Sequence, residues 1–311
     1  MSADGSTKVV LAALAGNFAI TITKFIAASY TGSSAMLSES IHSLVFTGNQ
    51  GLILYGLKRA KRPADATHPF GYGRELYFWT FIVAILIFAI GAGVSMYEGF
   101  DKIRHPHEMS NVWINYVVLS ISFCFEAAAW WVAFKAFRGE KGRYGYINAI
   151  QRSKDPAVFT VLLEDSAAML GLLIAMIGIA AGQYLEMPVL DGVASVGIGI
   201  LLALVSVFLA IECKGLLIGE SANDPVIKGI RELVGAQTGI IHVNELLTMH
   251  MGPEDILVNI SLDFADDLDS AQVEEVISTL EKSIKSTYGE VTRLFIEVQS
   301  RDGHKEDLKF K

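Results

Sequence analysis

Residues 34–57 read SAMLSESIHSLVFTGNQGLILYGL. The run has about the length that a helix needs to cross the hydrocarbon core of a bilayer. Inside it stands His42. A group that can ionise costs about 2.5–3.5 kcal/mol at a bilayer centre on insertion scales, so it faces a bundle interior and marks a working site. A second apolar run, 156–181, contains the adjacent acids Glu164 and Asp165. Imidazole with carboxylate is the ligand chemistry of a divalent metal such as zinc. The chain therefore reads first as a membrane protein with a buried metal site.

Composition supports that reading. Of 311 residues, 52% are hydrophobic, and the mean hydropathy of +0.42 exceeds that of an ordinary soluble domain. From Glu220 onward there are 18 acidic and 9 basic residues, a net charge of −9, whereas the first 219 residues carry a net +1. An apolar membrane domain, 1–219, is thus expected before an acidic soluble domain, 220–311. Nothing presents the basic stripe that phosphates require, so nucleic acid is excluded as a partner. Cys124 and Cys213 support no disulfide framework or CxxC site and read as packing residues. No cleavable signal peptide is evident, because residues 1–8 alone precede the first apolar run.

Six apolar segments predict membrane helices over 9–30, 34–57, 76–97, 112–134, 156–181 and 190–211. The loop after the second carries Lys58, Arg59, Lys61, Arg62 and Arg74. The loop after the fourth carries Lys135, Arg138, Lys141, Arg143, Arg152 and Lys154. The opposite loops are poorer, with Lys102 and Arg104 in one of them, so the positive-inside rule places both termini in the cytoplasm. Beyond 220 the pattern changes. Helical spacing over 224–234 and 270–287 and strands over 243–250, 256–264 and 292–299 give the order αββαβ, a small sheet with helices on one face. Asp269 or Ser270 caps the second of these helices.

On a helix, residues three, four and seven apart share a face, which sets His42 with Val45, Phe46 and Asn49, and in part with Glu39. Glu164 and Asp165 point about 100° apart, so only one of them faces a shared site directly. The competing readings are a hydrogen-bonded structural histidine at His42 and a carboxylate paired between helices at Asp165. Lys24 reads as snorkelling to an interface, Asp191 as a helix N-terminal acid, and Glu126 as a packing or pairing residue. Asp65 and His68, three apart in a loop, form a further candidate metal pair. His242 and His250 read as surface or turn histidines. There is no nucleophile–base pair and no HExxH, so no enzyme is expected.

The order of several pieces resembles the cation diffusion facilitator family of zinc-transporter type, nearest its zinc transporter nine branch. They are SAMLSESIHSLVFTGNQ (34–50), PADATHPFGYGRE (63–75), YEGFDKIRHP (97–106), LLEDSAAMLG (162–171) and VLDGVASVGIGILL (189–202). The resemblance implies a homodimer of six-helix protomers in the lipid bilayer, with a cytoplasmic ferredoxin-like domain that dimerises. It implies efflux of a divalent cation, zinc first and manganese, iron, cobalt or nickel as alternatives, against protons as counter-ion. A bacterial inner membrane is the expected location. His42, Asp165, Glu164 and Asn49 are then the expected membrane ligands, and Asp65 and His68 match two ligands of a loop site where Tyr72 replaces the third. One departure matters. The family motif places an Asp four residues after its first ligand, and here Phe46 stands there. That residue keeps a rival reading open, a transport-incompetent membrane protein acting through dimerisation or partner binding. The tail ligand places hold Ser261, Glu297 and Gln299, so His242 would stand alone there and the tail needs little or no structural zinc.

Overall fold

Each apolar run becomes a helix that outlasts its hydropathy, because polar residues at the ends continue the backbone ladder. The computed structural model describes residues 3–140, 145, 149–150, 153–307 and 309; Lys141, Arg143 and Arg152 of the basic loop lie outside them. The long helices are α1 (Ala3–Thr31), α2 (Ser34–Ala60), α3 (Glu75–Arg104), α4 (Trp113–Glu140), α5 (Pro156–Tyr184) and α6 (Val189–Ile218). Among the described residues, α3 to α6 contain spans long and apolar enough to cross a membrane. In α2, Glu39, His42 and Asn49 dilute a helix of comparable length. A π segment, Ile87–Ala92, interrupts α3. Asp155 caps α5 by accepting from Ala157 N–H at 3.0 Å, with Pro156 in the first turn.

The chain divides into two compact units. One runs from α1 to Arg59 and over Glu75–Lys214; the other joins Ala60–Arg74 to the segment from Gly215 onward. In the first unit small residues let helices approach. A Cβ at Gly99 of α3 would meet the backbone of Gly192 and Val196 on α6, and one at Gly178 of α5 would meet Ala194. The turn between α1 and α2 is clamped. Gly32 adopts φ +69°, which a side chain would strain. Its carbonyl accepts from Lys102 Nζ at 3.0 Å. Asp191, fully buried in the first turn of α6, accepts from Ser33 Oγ (2.6 Å), Ser34 N–H (2.6 Å) and Ala35 N–H (3.3 Å). Asp191 is therefore an N-terminal acid in its own helix that also satisfies orphan amides at the start of α2. Lys102, only 1% exposed, is a buried strut and not a loop charge.

The second unit contains α7 (Asp224–Gly235), β1 (Ile240–Gly252), β2 (Asp255–Phe264), α8 (Ser270–Thr287), β3 (Val291–Val298) and the short polar α9 (Arg301–Asp307), which the sequence pattern does not signal. The sheet order is β1-β2-β3, antiparallel then parallel, with Leu247 opposite Asn259 and Asn259 opposite Phe295. This is the expected αββαβ ferredoxin-like order. Ile256, Val258, Ile260 and Leu262 of β2 turn one face into a core with Ile230 and Val234 of α7 and Leu280 and Ile284 of α8. Asp269 and Gln272 form a reciprocal capping box on α8. The loop 60–74 joins this unit through Arg293, whose guanidinium donates to Pro69 C=O at 2.8 Å and lies 5.0 Å from the Phe70 ring centre.

Asp191→Ala leaves buried donors of the α1–α2 turn without an acceptor, and a loss of about 3 kcal/mol is expected. Asp191→Asn keeps a carbonyl acceptor and should lose less. Thermal unfolding of the purified protein in detergent reads both; an unchanged midpoint in the alanine variant would remove the clamp as a source of stability.

Candidate metal site

Two contacts register α2 against α5. Asn49 Nδ2 donates to Glu164 Oε1 at 2.7 Å. Ten residues earlier on α2, Glu39 Oε1 occupies the space that a Cβ on Gly171 of α5 would need. The helices thus run antiparallel. His42 and Phe46 on α2, and Asp165, Ala167 and Ala168 on α5, lie between those contacts along the helices. All five are buried.

The polar atoms here are under-used. Both ring nitrogens of His42, Oδ1 of Asp165, Oε2 of Glu164, Oδ1 of Asn49 and Oε1 of Glu39 are buried without a hydrogen-bond partner among the described residues. Each such atom costs about 1–3 kcal/mol, so a cluster of them is a poor structural device and a good receptor for a cation. The reading of His42 as a hydrogen-bonded structural histidine has no partner to support it. Among the described residues, no three His, Cys, Asp or Glu side chains converge as a metal-holding group. The donors are gathered on facing helices and not closed on one point. Phe46 fills part of that space, its ring 6.4 Å from the imidazole between centres.

Lys24 corrects the snorkelling expectation. It is fully buried, and its Nζ donates to Ser43 Oγ at 2.7 Å and to Glu39 Oε2 at 3.3 Å. An ammonium stays inside because carboxylate and hydroxyl replace its water. The missed signal was the pair Glu39 and Ser43, four apart on α2 and therefore on one face. Glu126 of α4, also buried, exerts its field on Glu39, Glu164 and Asp165. Four carboxyl groups and one ammonium thus share the polar interior with His42.

Asp65 and His68 lie apart from these residues, in the exposed loop. Asp65 Oδ1 accepts from Thr67 N–H (2.9 Å), Thr67 Oγ (2.7 Å) and His68 N–H (2.8 Å), and Oδ2 accepts from Tyr72 Oη (2.6 Å). The His68 and Tyr72 ring centres lie 4.2 Å apart with the planes tilted by 32°, and Asp65 Oδ1 is 3.7 Å from His68 Nδ1. The carboxylate organises the loop, and Tyr72 closes it as a hydrogen-bond donor. These bonds, Tyr72 first and then Thr67 and His68, hold the Asp65 carboxyl well below the usual carboxylate range. In the tail, Asn244 Nδ2 donates to Ser261 Oγ (3.3 Å) and Gln299 C=O (2.8 Å), and His304 Nδ1 lies 2.9 Å from Gln299 Oε1. That network joins amide, hydroxyl and imidazole groups. His250 is buried at the β1 turn, with Nδ1 3.2 Å from Gly252 O, and is not a surface residue.

Residues 10–218 match the sequence profile of the cation efflux transmembrane domain. The mitochondrial proton-coupled zinc antiporter of Mus musculus is 32% identical over 262 residues, which cover 84% of this chain and 46% of that protein. A metal tolerance protein of Arabidopsis thaliana is 29% identical, covering 83% and 57%. The chain spans about half the length of these curated relatives. Magnetosome protein MamB of Magnetospirillum gryphiswaldense is 25% identical, covering 88% of each chain. Among solved structures, the MamM C-terminal domain aligns at 17% identity with a TM-score of 0.24, over 25% of this chain and 98% of that one.

Because the Asp65 carboxyl is depressed in the folded loop, its stabilising bonds are complete above the ordinary value of 3.8 and are lost only as pH falls through a lower one. Tyr72→Phe removes the largest cause and should move Asp65 up toward the ordinary range. Carbon-13 NMR titration of the Asp65 carboxyl checks this; an unmoved midpoint would show that Tyr72 does not hold the charge.

Proposed function

Because the chain belongs to the cation efflux family, we propose that it exports a divalent metal cation, zinc first, in exchange for protons. The observation that carries this reading is the set of buried, unpartnered donors on the facing helices α2 and α5. His42 and Asp165 are the principal ligands, and Glu164 and Asn49 complete the shell or orient it through their 2.7 Å hydrogen bond. The donors are nitrogen and oxygen, which suits zinc and also admits manganese, iron, cobalt or nickel. No bond of the substrate is made or broken. Exchange follows from ligand chemistry: neutral imidazole and ionised carboxylate take the metal, and their protonated forms release it. Ligands spread over facing helices and closed only around an ion give the moderate affinity that release requires.

Residues 1–219 form the transport domain of a multi-pass inner-membrane protein with both termini cytoplasmic. Residues 220–311 form the domain through which two copies pair, held by its apolar core and without structural zinc. Asp65 and His68 form at most a weak surface site, since binding there would break the loop's own hydrogen bonds. Phe46 is the observation that favours the second reading, a transport-incompetent protein working through its soluble domain, because a phenyl ring offers an ion no charge.

Proteoliposomes loaded with a zinc-sensitive dye separate the two. Zinc uptake should depend on an imposed pH gradient and vanish in His42→Ala and Asp165→Ala. Phe46→Asp should bind zinc at least about tenfold more tightly, the scale that even supporting-shell changes reach. It should also unfold earlier without metal, since it buries another charge. Absence of uptake by the unaltered chain, with recovery in Phe46→Asp, would establish the second reading instead.

A further inference from the structure

Phe46 leaves the α2 side of the site one carboxylate short, and α2 carries another one turn in the opposite direction. We infer that Glu39 is the ligand that replaces it, and that Lys24 is the resident cation Glu39 holds until a metal ion displaces it. The inference rests on reading the α2/α5 interface as the ion site. Glu39-Ser40-Ile41-His42 is a Glu-x-x-His sequence, a spacing that sets carboxylate and imidazole on one helix face and serves as a chelating pair in metal sites of helical bundles. Glu39 is fully buried, and only one of its oxygens is engaged. The other, Oε1, has no partner and faces Gly171 of α5, six residues beyond Asp165. The missing side chain at Gly171 is what gives that oxygen room between the helices.

Lys24 is built to be displaced. Its ammonium reaches Glu39 Oε2 at 3.3 Å, longer than the 2.7–2.9 Å typical of a charge-assisted bond, and its shorter contact, 2.7 Å, is to Ser43 Oγ. An ion of twice the charge wins the carboxylate, and Lys24 keeps Ser43 as a second anchor on the same helix. The exchange changes no covalent bond. It leaves Lys24 near Glu126, whose field already reaches it. Closure of Glu39, His42 and Asp165 on one ion would draw α2 and α5 together, which couples occupancy to helix packing. Phe46, on the next turn, fills the space on the other side of His42.

The test uses the purified chain of 311 residues, titrated with zinc against a colorimetric chelator and with cobalt followed by its visible absorption. Glu39→Gln should weaken zinc about tenfold or more and lower the intensity of the cobalt bands as the ligand shell changes. Lys24→Met should tighten zinc, because the competing cation is gone. If either single variant fails to fold around its unpaired charge, Lys24→Met/Glu39→Gln removes both charges together and should bind as weakly as Glu39→Gln. Wild-type zinc affinity in the double variant, with binding lost in His42→Ala and Asp165→Ala, would overturn the inference and leave the site reading intact. Unaltered affinity in His42→Ala and Asp165→Ala would overturn the site reading and the inference with it. Unaltered affinity in a folded Lys24→Met would remove Lys24 as the resident cation.

Discussion

Charge inside a membrane has to be answered by charge, and in this protein that requirement organises the helices around Lys24 and Glu39. Both are fully buried, one on α1 and one on α2, and their pairing replaces the water each gave up. The pair is not a source of net stability in itself, since desolvation consumes much of the attraction; removal of one partner is the costly event, at about 3–5 kcal/mol. What the pair supplies is register. Ser43 and Glu39 present one face of α2 to α1, which leaves His42 without a bond and Glu39 Oε1 against α5. The unpaired donors of the candidate site are therefore consequences of how the ion pair is seated.

A second set of polar groups fixes where α2 begins. Asp191, Lys102 and Gly32 draw α6, α3 and the α1–α2 turn to one place, and Ser195 continues the link. Its hydroxyl donates to Ser95 C=O at 2.7 Å and so must accept from Ser38 Oγ at 2.6 Å. Between these bonds the helices meet through glycine and alanine, because lipid gives helices no hydrophobic reason to associate and close contact supplies the attraction. The bundle is held by specific bonds at the start of α2 and at Glu39, Ser43 and Asn49 along it, with dispersion between them.

The loop after α2 follows a different logic. Asp65 spends its lone pairs on Thr67, His68 and Tyr72, and Arg293 of β3 holds Pro69 and Phe70. The Tyr72 phenol donates to Asp65, so the carboxylate serves the fold of the exposed loop. The tail carries a polar network too, where Asn244, Ser261 and Gln299 hydrogen-bond to one another.

The six helices, the αββαβ order and the burial of His42 and Asp165 were legible in the chain, because apolar length and residue period act locally and survive any packing. Phe46 was legible as a departure for the same reason: a spacing of four on a helix is a property of one segment. Tertiary structure decided the rest. Lys24 read as a residue that reaches for the interface, since its partners lie 15 and 19 residues away on another helix and no local pattern names them. Asp191 read as an acid for its own helix, yet its carboxylate also answers the amides of α2, 157 residues distant. The loop 60–74 sits between two membrane helices in sequence but belongs to the second compact unit, because Arg293 and the sheet hold it there. In each case the sequence determined which polar groups had to be satisfied, and only the fold determined by what, because a buried charge selects its partner from whatever the packing brings within hydrogen-bond distance.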